Sequence, residues 1–210
     1  PHLTCRGHTR ADVAGLLDSY QQIGIENILA LGGDPPADGR AEAGDYEFAL
    51  QLLEDVVASG HFATGVAAHP EIHPRSPDRE SDRRHLAAKL AIADFALTQF
   101  FFEVEHWVRL VDELADLGID KPVLPGVMPI TNKAQVKRMA DMSGAALPSW
   151  LADRLDATDD AAEVRRIGID VASQLGADLI DAGTPGLHLY ALNRPDSVLA
   201  VCANLGLTGT

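Results

Sequence analysis

Ile28-Leu29-Ala30-Leu31-Gly32-Gly33-Asp34-Pro35-Pro36 reads as an apolar strand that runs into two glycines and an aspartate held by two prolines. That order puts a carboxylate at the carboxyl end of a strand, on a loop whose backbone can approach a ligand closely. A strand ending in a polar residue recurs at least four more times along the chain, and the repetition is what decides the fold.

Short β-rich runs at 2–5, 27–31, 64–68, 95–101, 123–127 and 187–191 alternate with segments of helical period. Val13, Leu16, Leu17, Tyr20 and Ile23 share one helical face, with Thr9 as N-cap and Gly24 past the end. Phe48, Leu52, Leu53, Val56 and Val57 form a second face, ended by Gly60. Val104, Trp107, Val108, Val111 and Leu114 form a third, ended by Gly118. Val164, Ile167, Val171 and Leu175 mark a long helix opening near Thr158-Asp159-Asp160. Pro148 and Pro195 suit first-turn positions of two more. Six βα units imply a parallel sheet in an α/β protein.

No Gly-x-Gly-x-x-Gly follows the first strand, which disfavours a dinucleotide-binding Rossmann sheet. Polar residues after successive strands fit a (βα)8 TIM barrel, whose active site is built there. Six units are two short of eight. The expectation is a single catalytic barrel domain over 1–210 that lacks its first two βα units, with 70–82 as one long βα loop.

Composition narrows the function. With 210 residues, 46% hydrophobic, the chain can bury one sizeable core. A net charge of −14 argues against nucleic acid or an anionic membrane as partner. No apolar run approaches the roughly 20 residues that span a bilayer. Cys5 and Cys202 make neither a disulfide framework nor a zinc site. A soluble, cytoplasmic protein is expected.

Four polar groups stand out. Asp34 is either a turn aspartate or a carboxylate aimed at a ligand. His69-Pro70-Glu71-Ile72-His73 could suggest a metal, but Pro70 and Pro74 deny the helix that would align the histidines, so no metal is expected. Gln99 interrupts an apolar strand, and a buried amide needs a partner. Tyr190 and Arg194 fall near the end of the last strand, whose alternation puts His188, Tyr190 and Leu192 on one face. Such an arginine either clamps a carboxylate or phosphate or is solvated surface.

His-Leu-Thr-Cys from His2, Asn-Ile-Leu-Ala-Leu-x-Gly-Asp-Pro from Asn27 and His-Pro-Glu-x-His-Pro from His69 stand in order. Thr-Gln-Phe-Phe-Phe-Glu from Thr98, Pro-Gly-Val-Met-Pro-Ile from Pro125 and Leu-Tyr-Ala-Leu-Asn-Arg from Leu189 follow. Together they resemble the methylenetetrahydrofolate reductase family, bacterial type, essentially from Pro1 to Gly206. The family reduces 5,10-methylenetetrahydrofolate to 5-methyltetrahydrofolate in one-carbon and methionine metabolism, passing hydride from NADH or NADPH through FAD. The resemblance places His2, Gly32, Gly33, Asp34, Phe48, Ala49, His69, His73, Asp82 and Lys89 at FAD-contacting positions. Asp34 is also implied as the catalytic residue that tunes the flavin and binds the pterin. Gln99, Gln135 and Arg194 fall at folate-contacting positions, and Tyr190 lines the same pocket. Hydride transfer needs cofactor and substrate stacked in register, which is an orienting task for the protein. Homo-oligomers are common in the family.

The chain departs from the pattern in several places. Gly32 stands where the family usually has Arg, His69 and Phe48 where it has Tyr, and Met139 where it has Phe. The family's general-acid Glu, in a Phe-Glu-Phe-Phe-Pro-Pro segment, has no match here, and Glu71 is the nearest substitute. The alternatives are a flavin-independent reductase of the same family and a non-catalytic barrel fragment that binds a ligand or partner. A barrel oxidoreductase of the proline-dehydrogenase type is a third. No ribose-reading residue can be placed, so NADH and NADPH both stay open.

Overall fold

A computed structural model describes residues 1–33 and 44–207. Strands and helices alternate as β1 (His2–Thr4), α1 (Arg10–Gln22), β2 (Asn27–Leu31), α2 (Ala49–Ala58), β3 (Ala63–Ala68), α3 (Arg79–Leu90) and β4 (Phe95–Phe100). They continue as α4 (Val104–Asp116), β5 (Val123–Val127), α5 (Lys133–Ser143), α6 (Ser149–Asp156), α7 (Ala161–Asp181), β6 (His188–Leu189) and α8 (Pro195–Asn204). The strands follow one another in a six-stranded sheet, β1-β2-β3-β4-β5-β6. Leu3 sits opposite Ala30, Ile28 opposite Thr64 and Gly126 opposite His188, each in a parallel pair. Parallel neighbours need a crossover, and the helices supply it. The α/β class and the six βα units read from the sequence are therefore present.

The chain divides into two compact units, Pro1–Ala67 with Arg84–Ala96, and Ala68–Arg83 with Leu97–Thr210. In the first, Leu3, Val13, Leu17, Ile28, Leu52, Leu53 and Val56 are buried. Thr9 caps α1 in a capping box with Asp12, and Gly24, Gly60 and Gly118 all adopt positive φ just past helix ends. Thr64 is anchored by Asp94, whose carboxylate accepts from its backbone N–H at 2.8 Å.

In the second unit, Phe100, Phe102, Ile130, Leu151, Leu155, Val164 and Ile167 form the main cluster. Burying each such side chain contributes about 1.5–3 kcal/mol. A Cβ on Gly168 would lie 1.9 Å from the Ile130 carbonyl oxygen, so α7 can rest on that segment only because residue 168 lacks one. The Trp107 indole donates to the Val123 carbonyl at 3.0 Å, tying α4 to β5.

Three details correct the sequence reading. The loop expected over 70–82 ends earlier, because α3 begins at Arg79. Its sequence, Arg-Glu-Ser-Asp-Arg-Arg-His-Leu, hides the helix behind charge. The last strand is only two residues long: Leu192 and Asn193 take φ of 48° and 59°, which breaks the alternation before Leu192. Pro148 is the N-cap of α6 rather than a first-turn residue, whereas Pro195 does open α8.

Candidate functional site

The left-handed pair Leu192–Asn193 turns the chain sharply, so Arg194 stands at the N-cap of α8. Asn132 caps α5 by accepting the Gln135 N–H at 2.9 Å, which places Gln135 in the first turn of α5. Between these two helix starts lies a cavity of about 240 Å³, lined by Thr131, Gln135, Tyr190, Arg194 and Ser197 among others. It is somewhat smaller than the about 300–1,000 Å³ of most small-molecule pockets. Three residues expected to act together, Gln135, Tyr190 and Arg194, are thus brought together by the fold. Tyr190 is mostly buried, and burial pushes its phenol up to about 12, so it stays neutral and donates its hydrogen bond to the Thr98 carbonyl at 3.0 Å.

Gln99 faces a separate crevice in the same unit, bordered by His69, Glu71, Phe100 and Gly144, with a volume of about 10 Å³, room for roughly one water. Its partner is local: the Gln99 side-chain oxygen accepts the Phe100 N–H at 2.9 Å. The two Nε2–H donors are the half of the amide not engaged in that bond. His69 and His73 pack edge to face with ring centroids 4.5 Å apart. Among the described residues no cluster of His, Cys, Asp and Glu could hold a metal ion.

Glu71 deepens the crevice. One carboxylate oxygen accepts the Ala146 N–H at 2.7 Å; the other is buried, 3.4 Å from the His106 Nε2, without a hydrogen bond. Burial raises its pKa, and Glu103 adds to that, while the Ala146 N–H, His106 and Arg79 pull the other way.

The loop carrying His69 to His73 is held from beneath by two residues of α3. Arg83 donates to the carbonyls of His69 at 3.0 Å, Pro70 at 2.7 Å and Glu71 at 3.3 Å. Asp82 accepts from the His73 N–H at 3.1 Å and the Ser76 hydroxyl at 2.9 Å. Both Asp82 oxygens are engaged, the second by Arg83, so the structure places Asp82 as a loop anchor. Arg83 was not singled out by sequence, because an arginine in a charged run reads as solvated surface.

The remaining positions lie in the first unit, except Asp34, which falls outside the described residues. Gly32 and Gly33 follow β2 and are fixed from β1: the Cys5 thiol donates to the Gly32 carbonyl and Arg6 Nε to that of Gly33, both at 3.1 Å. Gly33 has φ of 77°, which only glycine adopts without strain. His2 is exposed on β1. Phe48, 62% exposed, precedes α2, whose first residue is Ala49. Lys89 brings its ammonium to the Ala67 carbonyl at 2.9 Å, near the carboxyl end of β3. A cation there and an exposed ring on Phe48 are groups that suit a pyrophosphate and a flat heterocycle.

The family model described as methylenetetrahydrofolate reductase matches residues 1–206. The chain belongs to the methylenetetrahydrofolate reductase family. It is 37% identical over 210 residues to the 5,10-methylenetetrahydrofolate reductase of Escherichia coli strain K12, covering 99% of this chain and 70% of that one. It is 33% identical over 219 residues to methylenetetrahydrofolate reductase 2 of Saccharomyces cerevisiae, covering 100% and 36%. An uncharacterized protein from Clostridium thermocellum, described as binding two copies of 5-methyl-5,6,7,8-tetrahydrofolic acid, has a solved structure similar to this one. The TM-score is 0.65 at 13% identity, over 97% of this chain and 70% of that one, which shows a shared fold. As a methylenetetrahydrofolate reductase family member the protein is an oxidoreductase that reduces methylenetetrahydrofolate to methyltetrahydrofolate. Met139 packs half-buried against the second unit's core. No described helix is long and apolar enough to cross a membrane.

Proposed function

We propose that the protein reduces 5,10-methylenetetrahydrofolate to 5-methyltetrahydrofolate with NADH or NADPH as the hydride source and FAD as the carrier. The observation that carries the folate reading is the meeting of Gln135 with Tyr190 and Arg194, which lie far along the chain from it, around one cavity. Arg194 binds a carboxylate of the substrate, and Gln135 and Tyr190 orient the remainder. The family resemblance adds Gln99 as a contact to the same substrate, from the crevice that the Tyr190–Thr98 hydrogen bond ties to this cavity. An arginine beside two neutral polar groups suits a ligand that carries carboxylates on one end and an uncharged heterocycle on the other.

His2, Gly32, Gly33, Asp34, Phe48, Ala49, His69, His73 and Lys89 are the proposed flavin contacts, resting on the family resemblance and on the groups that suit a dinucleotide. Asp82 supports the His69–His73 loop and acts on the flavin through it. When bound, FAD supplies a two-electron carrier between nicotinamide and folate. The chain's own residues bind and orient the reactants and hold the loop of Glu71 against the crevice. We place the protein in the cytoplasm as a homo-oligomer, with the chain serving as one catalytic domain.

The test is a visible absorbance spectrum of the purified protein. A flavin spectrum bleached by NADH or NADPH and restored by methylenetetrahydrofolate supports the reading. A colourless protein that still oxidises the nicotinamide in the presence of folate moves the mechanism to direct hydride transfer. No folate-dependent oxidation of either nicotinamide overturns it.

A further inference from the structure

Gln99 is oriented by the residue before it. Thr98 alternates with Gln99 on β4 and is fully buried, so its side chain is closed off from any ligand in the Gln99 crevice. Its hydroxyl nonetheless joins two strands. It accepts the Gly126 N–H of β5 at 2.8 Å and donates to the Gln99 carbonyl at 2.8 Å. The Thr98 carbonyl accepts the Tyr190 hydroxyl at 3.0 Å, and one peptide further on the Phe100 N–H is taken by the Gln99 side chain. In a regular parallel ladder such backbone groups pair with backbone groups of the adjacent strand. Here side chains also hold them: the Tyr190 hydroxyl holds the Thr98–Gln99 peptide, and the Thr98 hydroxyl and the Gln99 amide together hold the Gln99–Phe100 peptide. The approach is close: a Cβ on Gly126 would meet the Thr98 oxygen at 2.4 Å and the Tyr190 ring at 2.7 Å.

We infer that Thr98 is a positioning residue for folate binding, whose hydroxyl sets the Gln99–Phe100 peptide and so the direction in which Gln99 presents its amide. The inference rests on the proposed role of Gln99 as a folate contact. Removing the hydroxyl leaves the buried Gly126 N–H without its acceptor, and an unpaired buried donor is relieved by moving the peptide. A shift of a fraction of an ångström at Gln99 is enough to misdirect a hydrogen bond to a ligand.

The experiment is calorimetric titration of the purified full chain with 5-methyltetrahydrofolate, alongside thermal melting. Thr98→Val keeps the shape and removes the hydroxyl; it should weaken binding about tenfold or more. Thr98→Ser keeps the hydroxyl and should bind within about twofold of the parent. In a Gln99→Ala background, Thr98→Val should add less than about a twofold change, because its effect runs through Gln99. A valine variant that melts lower yet binds with unchanged affinity has a structural role only and overturns the inference. So do additive effects in the double variant. Should the valine variant fail to fold, Thr98→Cys, of similar size with a weaker donor, should bind with intermediate affinity, and parental affinity there overturns the inference. If Gln99→Ala weakens binding and Thr98→Val does not, the positioning role falls and the folate site stands. If Gln99→Ala leaves binding unchanged, the folate reading of Gln99 falls, and the inference with it.

Discussion

Arg83 lays its guanidinium 2.6 Å from the carboxylate of its neighbour Asp82, and both side chains are buried, at 4% and 8% exposure. Arg83 Nε also donates to Glu113 at 2.6 Å. Adjacent residues form this pair because they open α3 beneath the loop of His69 to His73, where unsatisfied backbone groups of both signs need partners. Removing one member of a buried pair strands the other. Asp82→Ala should lower stability by about 3 kcal/mol, read as a shift in urea midpoint. A loss below about 1 kcal/mol would mean that the loop is held without it.

Arg194 lies at the opposite extreme, exposed at the cavity rim. Arg194→Ala should raise the dissociation constant for 5-methyltetrahydrofolate by about 10- to 100-fold, matching about 1.5–3 kcal/mol for hydrogen bonds to a charged group. Arg194→Lys should recover only part, since an ammonium cannot make the paired contact of a guanidinium. Melting temperature should hardly change in either variant. Unaltered affinity in both would remove Arg194 from the site.

Two carboxylates should give opposite pH dependences. The folded-state pKa of Glu71 is raised, first by burial, so its protonated form is the one folding favours. Its contribution is present below its unfolded value of 4.5 and declines as pH rises through the folded value. Burial acts to raise Glu113 as well, but hydrogen bonds from Arg83 and Arg109, helped by Arg79, outweigh it and hold the pKa below 4.5. That contribution is present above 4.5 and is lost as pH falls through the lower folded value. Urea midpoints measured across the acid range should therefore steepen their fall at low pH with Glu71→Gln and flatten with Glu113→Gln. Identical pH profiles for the two variants would contradict the assignment.

Gly168→Ala should be among the most damaging small substitutions. The added methyl would sit 1.9 Å from a backbone oxygen, and backbone cannot rotate aside as a side chain can. Overpacking of this kind costs about 1–3 kcal/mol and more where nothing yields. Here the expected result is loss of soluble folded protein or a melting point lowered by about ten degrees or more. A variant that melts within about two degrees of the parent would show that α7 can shift away from Ile130.

The regular part of the fold was legible because its signals are local. Asn27–Leu31 and Val123–Val127 carry apolar residues between clear breaks, and the two ranges match the observed strands. Gly24, Gly60 and Gly118 end helices for a reason a single residue supplies. The start of α3 was not legible because two of its buried residues, Asp82 and Arg83, are charged, and a periodicity of apolar residues cannot register a buried ion pair. The end of β6 was misread because alternation says nothing about where the backbone enters the left-handed region, and neither Leu192 nor Asn193 is a glycine.

The candidate site divides along the same line. Sequence alone determined the alternation of strands with helices and the family, and it offered Gln99, Gln135, Tyr190 and Arg194 as candidates for a folate site. The tertiary structure alone decided which polar groups face a cavity and which hold the frame. Asp82 turned out to anchor a loop, and Thr98, which attracts no notice in an apolar strand, joins three elements. Tyr190 reaches the Thr98 carbonyl across 92 residues of chain. A polar side chain takes its role from the partner that satisfies its hydrogen bonds, and when that partner is distant in sequence only the folded chain brings the two within reach.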